Sequence, residues 1–308
     1  MCGLFGFLRY GNPIKGLKEV TNSLAEQSAV RGTDATGIAF NENGKLRIFK
    51  DGKSAYELDF KHGDDTAAMI GHTRHSTKGS EKKNCNNHPF PGKVGGLHFA
   101  LAHNGVLSND DELRKSLNLP KTKIETDSYI AAQLLMSKKE LDFTSVKYMA
   151  EKVSGSFSFS ILDGDDNLYL VKGDSPLHIL HFTKSKIYVF ASTEAILFKA
   201  LVDTPLFKEL KLGEYEEVST YEGDILKLSP DGELTKSRFD YRYYCGRGWW
   251  EYGEIYSPKI DNEVYTEQDY IEELKYIAMY QGIDPEEIDE LLAGGFTLDE
   301  LEDYVYGA

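Results

Sequence analysis

Short apolar runs typical of β-strands alternate with a few helical stretches along the chain as far as about residue 238. The run CGLFGFL at residues 2–8 predicts a buried strand. Further paired runs predict hairpins, because they flank turn residues at Asn43-Gly44, Gly164 to Asn167, Thr183 to Lys186 and Asp231-Gly232. Strands joined in this way form antiparallel sheets.

Helical spacing occurs in fewer segments. A helix over residues 14–30 would carry one apolar face made of Ile14, Leu17, Val20 and Leu24. Further helices are predicted at about 127–137, 144–153 and 193–203. Helices placed among hairpins predict an α+β body with antiparallel sheets rather than a parallel Rossmann sheet. The sequence contains neither GxGxxG nor GxxxxGK(S/T), and no cofactor is expected.

The composition changes sharply toward the C-terminus. Residues 261–308 hold 15 acidic residues and one lysine, whereas the preceding part holds 35 acids and 34 bases. Just before this acidic part, residues 239–256 contain eight aromatic side chains. These shifts predict a body over residues 2–235, an aromatic-rich connecting segment over 236–260 and an acidic helical tail over 261–308.

The acidic tail is predicted to consist of short helices. Gln268 to Tyr280 has one apolar face, and Asp284-Pro285 has the N-cap and first-turn proline of a second helix. Gly294-Gly295 would end that helix, and Thr297 with Glu300 resembles a capping box for a third. The acids would either solvate the outer face of a small bundle or dock a partner. The aromatic segment would either pack back on the body as a strap or belong to the docking surface.

The overall composition limits the classes of function. The 308 residues are 41% hydrophobic and 28% charged, with a net charge of −15, as in soluble globular proteins that do not bind nucleic acid or anionic membranes broadly. No apolar run is long enough to span a bilayer, and the N-terminus lacks a secretory leader. Cys2, Cys85 and Cys245 show no paired spacing, so neither a disulfide framework nor a metal site is expected. A cytoplasmic location is expected.

Cys2 is the first candidate for chemistry. A small residue at position 2 normally permits removal of Met1, which would leave a cysteine with a thiol and an α-amine on one carbon. The amine, with an ordinary pKa of about 7.7–8, could then act as the general base for its own thiol. Alone, a cysteine at this position is weak evidence of a nucleophile.

Polar stretches elsewhere strengthen that interpretation. They are RGTDATG at 31–37, GHTRHSTKGS at 71–80, NNHPF at 86–90, LAHNGVLSN at 101–109 and ETDSYIAAQLL at 125–135. Arg74 is suited to a bidentate grip on a carboxylate, and Asn104-Gly105 can direct an amide and a backbone N–H at one oxygen. Asp127 on its own predicts a helix N-cap. A metal triad of His72, His75 and His88 is not favoured, because neither HxH nor HxxxH spacing is present.

Together these stretches resemble the class II glutamine amidotransferase family, whose glutaminase domain is an N-terminal-nucleophile hydrolase. The most similar patterns are the glutaminase domains of glucosamine-6-phosphate synthase and glutamine phosphoribosylpyrophosphate amidotransferase. The resemblance runs from Cys2 to about Leu228. It implies an αββα sandwich with antiparallel sheets.

The resemblance also implies a mechanism. Cys2 would attack the side-chain amide of L-glutamine with its own α-amine accepting the thiol proton, and Asn104 with the N–H of Gly105 would form the oxyanion hole. Arg74 would hold the substrate α-carboxylate and Asp127 its α-ammonium group. The remaining implied site residues line the nucleophile loop, in the case of Arg31 and Gly32, or shape the pocket, in the case of Thr77 and His88.

This chain departs from the synthase pattern at two neighbouring positions. His75, which is expected among the substrate-binding residues, stands where that pattern has tryptophan, and Lys78 stands where it has histidine. Lys78 is interpreted either as a solvated loop charge or as part of an altered entrance. Both changes bear on what closes over the site rather than on the nucleophile.

Only about 80 residues follow the resembling part, too few for the ammonia-consuming domains of relatives. The chain is therefore expected to be a glutaminase that supplies ammonia to a separate synthase or amide-forming ligase subunit. Two alternatives remain: an N-terminal-cysteine amidohydrolase for a γ-glutamyl peptide or another amide, and a non-catalytic glutamine-binding or scaffold protein.

Overall fold

A computed structural model describes residues 2–202, 204–241, 271, 274–275, 278 and 283–306. The chain divides into two compact units, Met1–Tyr244 and Cys245–Ala308. All of the candidate site residues belong to the first unit. Among the described residues, no helix combines the length and apolar character needed to cross a bilayer.

Two antiparallel sheets form the centre of the first unit. The strands of one sheet are β1 (Gly3–Arg9), β2 (Ala35–Glu42), β3 (Lys45–Asp51), β4 (Ala68–Arg74), β9 (His178–Phe182), β10 (Ile187–Ala191) and β11 (Glu216–Glu217). Those of the other are β5 (Phe90–Val94), β6 (Leu97–Leu107), β7 (Gly155–Asp163), β8 (Leu168–Lys172), β12 (Asp224–Leu228) and β13 (Leu234–Arg238). The first sheet has the order β11-β9-β10-β1-β4-β2-β3 and the second β13-β12-β8-β7-β6-β5.

Helices cover the outer faces of both sheets. Their bounds are α1 (Leu17–Ser28), α2 (Asp110–Ser116), α3 (Tyr129–Met136), α4 (Phe143–Lys152), α5 (Glu194–Leu201) and α6 (Phe207–Leu212). Helices α1, α5 and α6 contribute to the core on the first sheet, and α3 and α4 to the core on the second. A third core, formed largely by strand side chains, fills the space between the sheets. The predicted αββα sandwich is therefore confirmed.

The alternation of β1 shows how the sequence specifies these layers. Phe5 and Phe7 belong to the core beneath the helices, whereas Leu4 and Leu8 belong to the core between the sheets. Successive side chains of a strand point to opposite faces, so a strand covered on both sides is apolar throughout. This is the reason that CGLFGFL indicates a buried strand.

The hairpins predicted from turn residues are confirmed. Strand β2 pairs with β3 around Asn43-Gly44, and β7 pairs with β8 around residues 164–167. Strands β9 and β10 form the third hairpin, and β12 and β13 form the fourth. Strand β13 spans residue 235, where the sequence analysis places the end of the body.

The second unit contains the described helices Pro285–Ala293 and Leu298–Tyr306. Asp284 accepts a hydrogen bond from the N–H of Glu286, and Thr297 and Glu300 form reciprocal cap contacts, as predicted. The two helices bury Ile288, Leu301 and Val305 in a small apolar cluster with Leu274 and Ala278.

Most of the aromatic segment at 239–256 and of the helix predicted at 268–280 lies outside the described residues. Phe239 and Tyr241 are described, and both rings contact Phe157 of the first unit, at centroid distances of 5.9 and 5.5 Å. The start of this segment therefore packs on the body. For the rest of the segment, the strap and the docking surface both stay predictions.

Candidate active site

Cys2 lies where three neighbouring strands of the first sheet end. It directly precedes β1, in which Gly3 is opposite Thr73 of β4, and β4 in turn places Arg74 opposite Ala35 of β2. Adjacent antiparallel strands run in opposite directions. The start of β1, the end of β4 and the start of β2 therefore lie at the same end of the sheet. The fold thus brings Cys2 and Arg74 together from distant parts of the sequence.

Gly32 allows the loop before β2 to lie directly against this end of the sheet. A Cβ atom added at Gly32 would lie 2.3 Å from the carbonyl carbon of Arg74 and 2.5 Å from the backbone nitrogen of His75. The preceding Arg31 donates a hydrogen bond from Nε to the carbonyl oxygen of Cys2, at 2.8 Å. Arg31 and Gly32 therefore lie directly against the segments that carry Cys2 and Arg74.

Gly32→Ala should lower the free energy of unfolding by about 1–3 kcal/mol, because the added methyl group meets backbone that cannot turn away. Urea unfolding of the purified variant measures this. Gly164→Ala is the matched control, since its nearest atoms would lie 3.5 Å from the new Cβ, an ordinary contact. Equal stability of the two variants would contradict the close approach at Gly32.

The environment of the Cys2 thiol favours its neutral form. Burial raises the pKa of the thiol, and the positive charges of Arg31 and Arg74 act in the opposite direction. The sulfur lies 3.5 Å from the carbonyl oxygen of His75, to which it donates. A reaction at this sulfur therefore requires a group that removes its proton.

Asn104 and Gly105 lie on β6 in the facing sheet. Asn104 is 1% exposed, and its Nδ2 has no hydrogen-bond partner among the described residues. Gly105 has φ of +132°, and an added Cβ would lie 2.0 Å from the carbonyl oxygen of Ser156, so only glycine fits here. A buried donor without a partner is costly, so the amide nitrogen of Asn104 is a candidate for binding a ligand.

Arg74 is buried, and the loop that follows it wraps around its guanidinium group. Nη1 donates to Oδ1 of Asn87 at 2.7 Å, and Nη2 donates to the carbonyl oxygens of Lys78 and Gly79 at 2.9 and 2.6 Å. Asp34 fixes the same loop by accepting from the N–H of Ser76 at 2.7 Å. The sequence analysis did not single out Asp34 or Asn87 as site residues, although both lie in the motifs that it quoted.

Asp127 is bound to the strand that carries Asn104. Its Oδ2 accepts a hydrogen bond from the N–H of Leu107 at 2.6 Å, and the residue is buried. The interpretation of Asp127 as an N-cap is wrong, because Ser128 occupies the cap position of α3. The carboxylate instead joins the end of β6, three residues beyond Asn104.

A buried cluster of three histidines lies behind this end of the sandwich. The ring centroid of His88 lies 4.0 Å from that of His72 and 6.5 Å from that of His103. His72 donates from Nε2 to the carbonyl oxygen of His103 at 3.0 Å, which links the two sheets. Burial lowers the pKa of His72 to about 3 and lowers the pKa values of His88 and His103. All three are therefore neutral at pH 7.

Two sequence-predicted site residues lie on the outside of the loop. His75 and Thr77 are exposed, so His75 does not join the ring cluster of His72 and His88. Within the described part of the chain, no group of three or more His, Cys, Asp or Glu side chains is placed to hold a metal ion. Lys78 is exposed, as its interpretation as a solvated loop charge predicts, and its ammonium group also lies 3.0 and 2.9 Å from the two carboxylate oxygens of Asp110.

The chain is similar to known glutamine amidotransferase proteins. Residues 72–199 match the family described as the glutamine amidotransferase domain. The chain is 32% identical over 249 residues to the isomerizing glutamine–fructose-6-phosphate aminotransferase of Staphylococcus aureus (strain Mu50), covering 77% of this chain and 38% of that protein. It is 25% identical over 292 residues to the protein of the same name from Campylobacter jejuni, covering 89% of this chain and 47% of the relative.

The chain thus spans less than half the length of either curated relative. Among solved structures, glutamine phosphoribosylpyrophosphate amidotransferase from B. subtilis, complexed with ADP and GMP, matches with a TM-score of 0.59 and 21% identity, covering 79% of this chain and 50% of that one. At this identity the likeness establishes a shared fold.

Proposed function

The chain carries a class II glutamine amidotransferase domain, and on that premise we propose that it hydrolyses the side-chain amide of L-glutamine to glutamate and ammonia. The observation that carries the proposal is the buried amide nitrogen of Asn104, which has no hydrogen-bond partner within the described part of the chain. A tetrahedral oxyanion is a ligand that would satisfy this donor during acyl transfer.

The reaction starts at Cys2 after removal of Met1. The free α-amine accepts the thiol proton, and the sulfur forms a bond to the amide carbon of glutamine. The raised pKa of the thiol makes such a base necessary. The carbonyl electron pair moves onto oxygen, where Asn104 Nδ2 and the N–H of Gly105 donate hydrogen bonds to it.

The intermediate then collapses. The C–N bond breaks as the leaving nitrogen takes the proton from the α-ammonium group of Cys2, and ammonia departs. Water attacks the resulting γ-glutamyl thioester, the α-amine again removes a proton, and the C–S bond breaks to give glutamate and the free thiol. The same two donors stabilise the second oxyanion.

Arg74 and Asp127 select the amino-acid head of the substrate. A guanidinium group has five N–H donors, and the loop contacts take three of those of Arg74, so the substrate α-carboxylate would bind the others. Asp127 uses Oδ2 for Leu107, and its carboxylate charge would attract the α-ammonium group. His88 would shape the proposed pocket from the core, whereas the exposed Thr77 lies on the outside of the loop.

The ammonia would be consumed by a separate synthase or amide-forming ligase subunit. The two curated relatives are named as aminotransferases, and more than half of each lies outside the matched part. The C-terminal unit, with its excess of acids, is the proposed docking element for such a partner.

Covalent labelling tests the proposal. An electrophilic glutamine analogue should add to the chain once, at Cys2, with Met1 absent and with excess L-glutamine protecting the site. Intact mass measures the loss of Met1 and the number of adducts, and peptide mapping identifies the labelled residue. Cys85 is exposed and provides an internal control, so Cys85→Ser should keep the adduct and Cys2→Ser should lose it.

Each other outcome has a definite meaning. Labelling of Cys2 that L-glutamine does not prevent would favour an amidohydrolase for a γ-glutamyl peptide or another amide. Retention of Met1 without an adduct would favour a non-catalytic glutamine-binding or scaffold protein. Labelling at Cys85 or Cys245 alone would overturn the mechanism at Cys2.

A further inference from the structure

Lys78 joins the loop over the site to helix α2. Its ammonium group contacts both carboxylate oxygens of Asp110, whose side chain is 5% exposed, while the Lys78 side chain is 44% exposed. Burial of one partner distinguishes this pair from the ion pairs of solvated surfaces, which contribute little. Lys78 therefore anchors the loop to a fixed carboxylate.

Asp110 is in turn held from behind. Arg114 donates from Nη1 to Oδ2 of Asp110 at 2.9 Å and from Nε to Oε1 of Gln133 on α3 at 3.2 Å. Arg114 Nη2 also lies 3.4 Å from the carbonyl oxygen of Thr126, the residue before Asp127. The anchor for Lys78 thus extends to the segment that carries Asp127.

The backbone of Lys78 extends the same network in the other direction. Its carbonyl oxygen accepts from Arg74 Nη2 at 2.9 Å, and the next carbonyl, that of Gly79, accepts from the same nitrogen. A continuous set of contacts therefore runs from Arg74 through Lys78, Asp110 and Arg114 to the backbone beside Asp127. Its two ends are the residues proposed to bind the two charges of the substrate.

We propose that Lys78, Asp110 and Arg114 form a positioning network that fixes the separation of Arg74 and Asp127, and thereby selects a substrate that carries both an α-carboxylate and an α-ammonium group. This inference rests on the proposed function. None of the three residues is a catalytic residue. They act through Arg74 and Asp127. Their loss should therefore weaken binding most for a substrate that carries both charges.

Steady-state kinetics of the 308-residue chain with two substrates test the network. Lys78→Met should raise KM for L-glutamine about tenfold and leave kcat within about twofold, because substrate recognition is weakened and the oxyanion hole is untouched. Glutaramate, which lacks the α-ammonium group, does not need the fixed separation, and its kcat/KM should change less than about twofold. Lys78→Arg should restore most of the KM for L-glutamine.

Lys82→Met is the matched control, since Lys82 is an exposed lysine of the same loop. It removes the same charge and should leave both substrates unaffected. An equal rise in KM for L-glutamine and glutaramate in Lys78→Met would overturn the network. Such a result would mean that the substitution disturbs the loop in general and does not change the separation of Arg74 and Asp127. Unchanged KM values would overturn it as well. Absence of glutamine hydrolysis by the wild-type chain would instead overturn the proposed function, and the inference with it.

Discussion

Replacement of Asn104 by alanine should lower kcat for L-glutamine by about 10²–10³, with a much smaller change in KM. The amide nitrogen of Asn104 is buried and has no hydrogen-bond partner among the described residues, so in the proposed mechanism it is available to the oxyanion that forms at the transition state. The glutamine carbonyl of the ground state carries less charge and gains less from this donor. Gly105 would still supply its N–H, which accounts for the residual rate.

Asn109→Ala provides the matched control for Asn104→Ala. The Asn109 amide donates to the carbonyl oxygen of Lys152 and to Ser154, and its Oδ1 accepts from the N–H of Ser154. This asparagine holds two segments together and has no donor kept for a ligand, so its loss should lower stability and leave kcat within about twofold. Glutaminase assays on both variants decide the point, and a similar fall in kcat for both would contradict the oxyanion role of Asn104.

Acid should unfold the protein steeply, starting just below pH 6.5. His72, His88 and His103 are buried and neutral, with folded-state pKa values below that of an unfolded histidine. Below pH 6.5 the unfolded chain therefore binds more protons than the folded one, and stability falls as pH falls. For His72, whose pKa is about 3, the loss amounts to about 5 kcal/mol between pH 6.5 and 3.

Urea unfolding at pH 7.5, 6.5, 5.5 and 4.5 measures this effect. Each histidine that stays neutral in the folded protein adds at most about 1.4 kcal/mol per pH unit to the slope, and His88→Phe should remove the contribution of His88. His88 is the appropriate site, since neither ring nitrogen has a hydrogen-bond partner among the described residues. A His88→Phe slope equal to that of the wild type would show that His88 is already protonated in the folded state.

Local signals account for what the sequence predicts correctly. The Asn43-Gly44 turn pins one hairpin because both residues adopt positive φ, of 52° and 69°. The run of apolar residues on both faces of β1 likewise indicates a strand covered on both sides. Asn104 and Gly105 could be proposed as a pair because they are adjacent in sequence, so no knowledge of the fold was needed to bring them together.

The parts that could not be predicted depend on contacts between distant segments. Nothing in the pattern of residues 71–80 indicates that Lys78 meets Asp110, because the pairing arises only when α2 packs beside the loop. The bond from Leu107 to Asp127 has the same origin, and it replaces the N-cap that local propensity favours. Pairwise strand order is equally non-local, since β1 lies between β10 and β4.

The place of Cys2 on the sandwich also governs how the protein can be handled. Residue 2 enters the middle of the seven-stranded sheet, where a Cβ at the next position would lie 2.5 Å from Oγ1 of Thr73. An affinity tag fused ahead of Cys2 would therefore crowd the strand ends and would also block its α-amine. The exposed turn at Asn43-Gly44 lies at the opposite end of β2, and an epitope inserted there would allow immobilisation with the Cys2 end of the sheet left open to solvent.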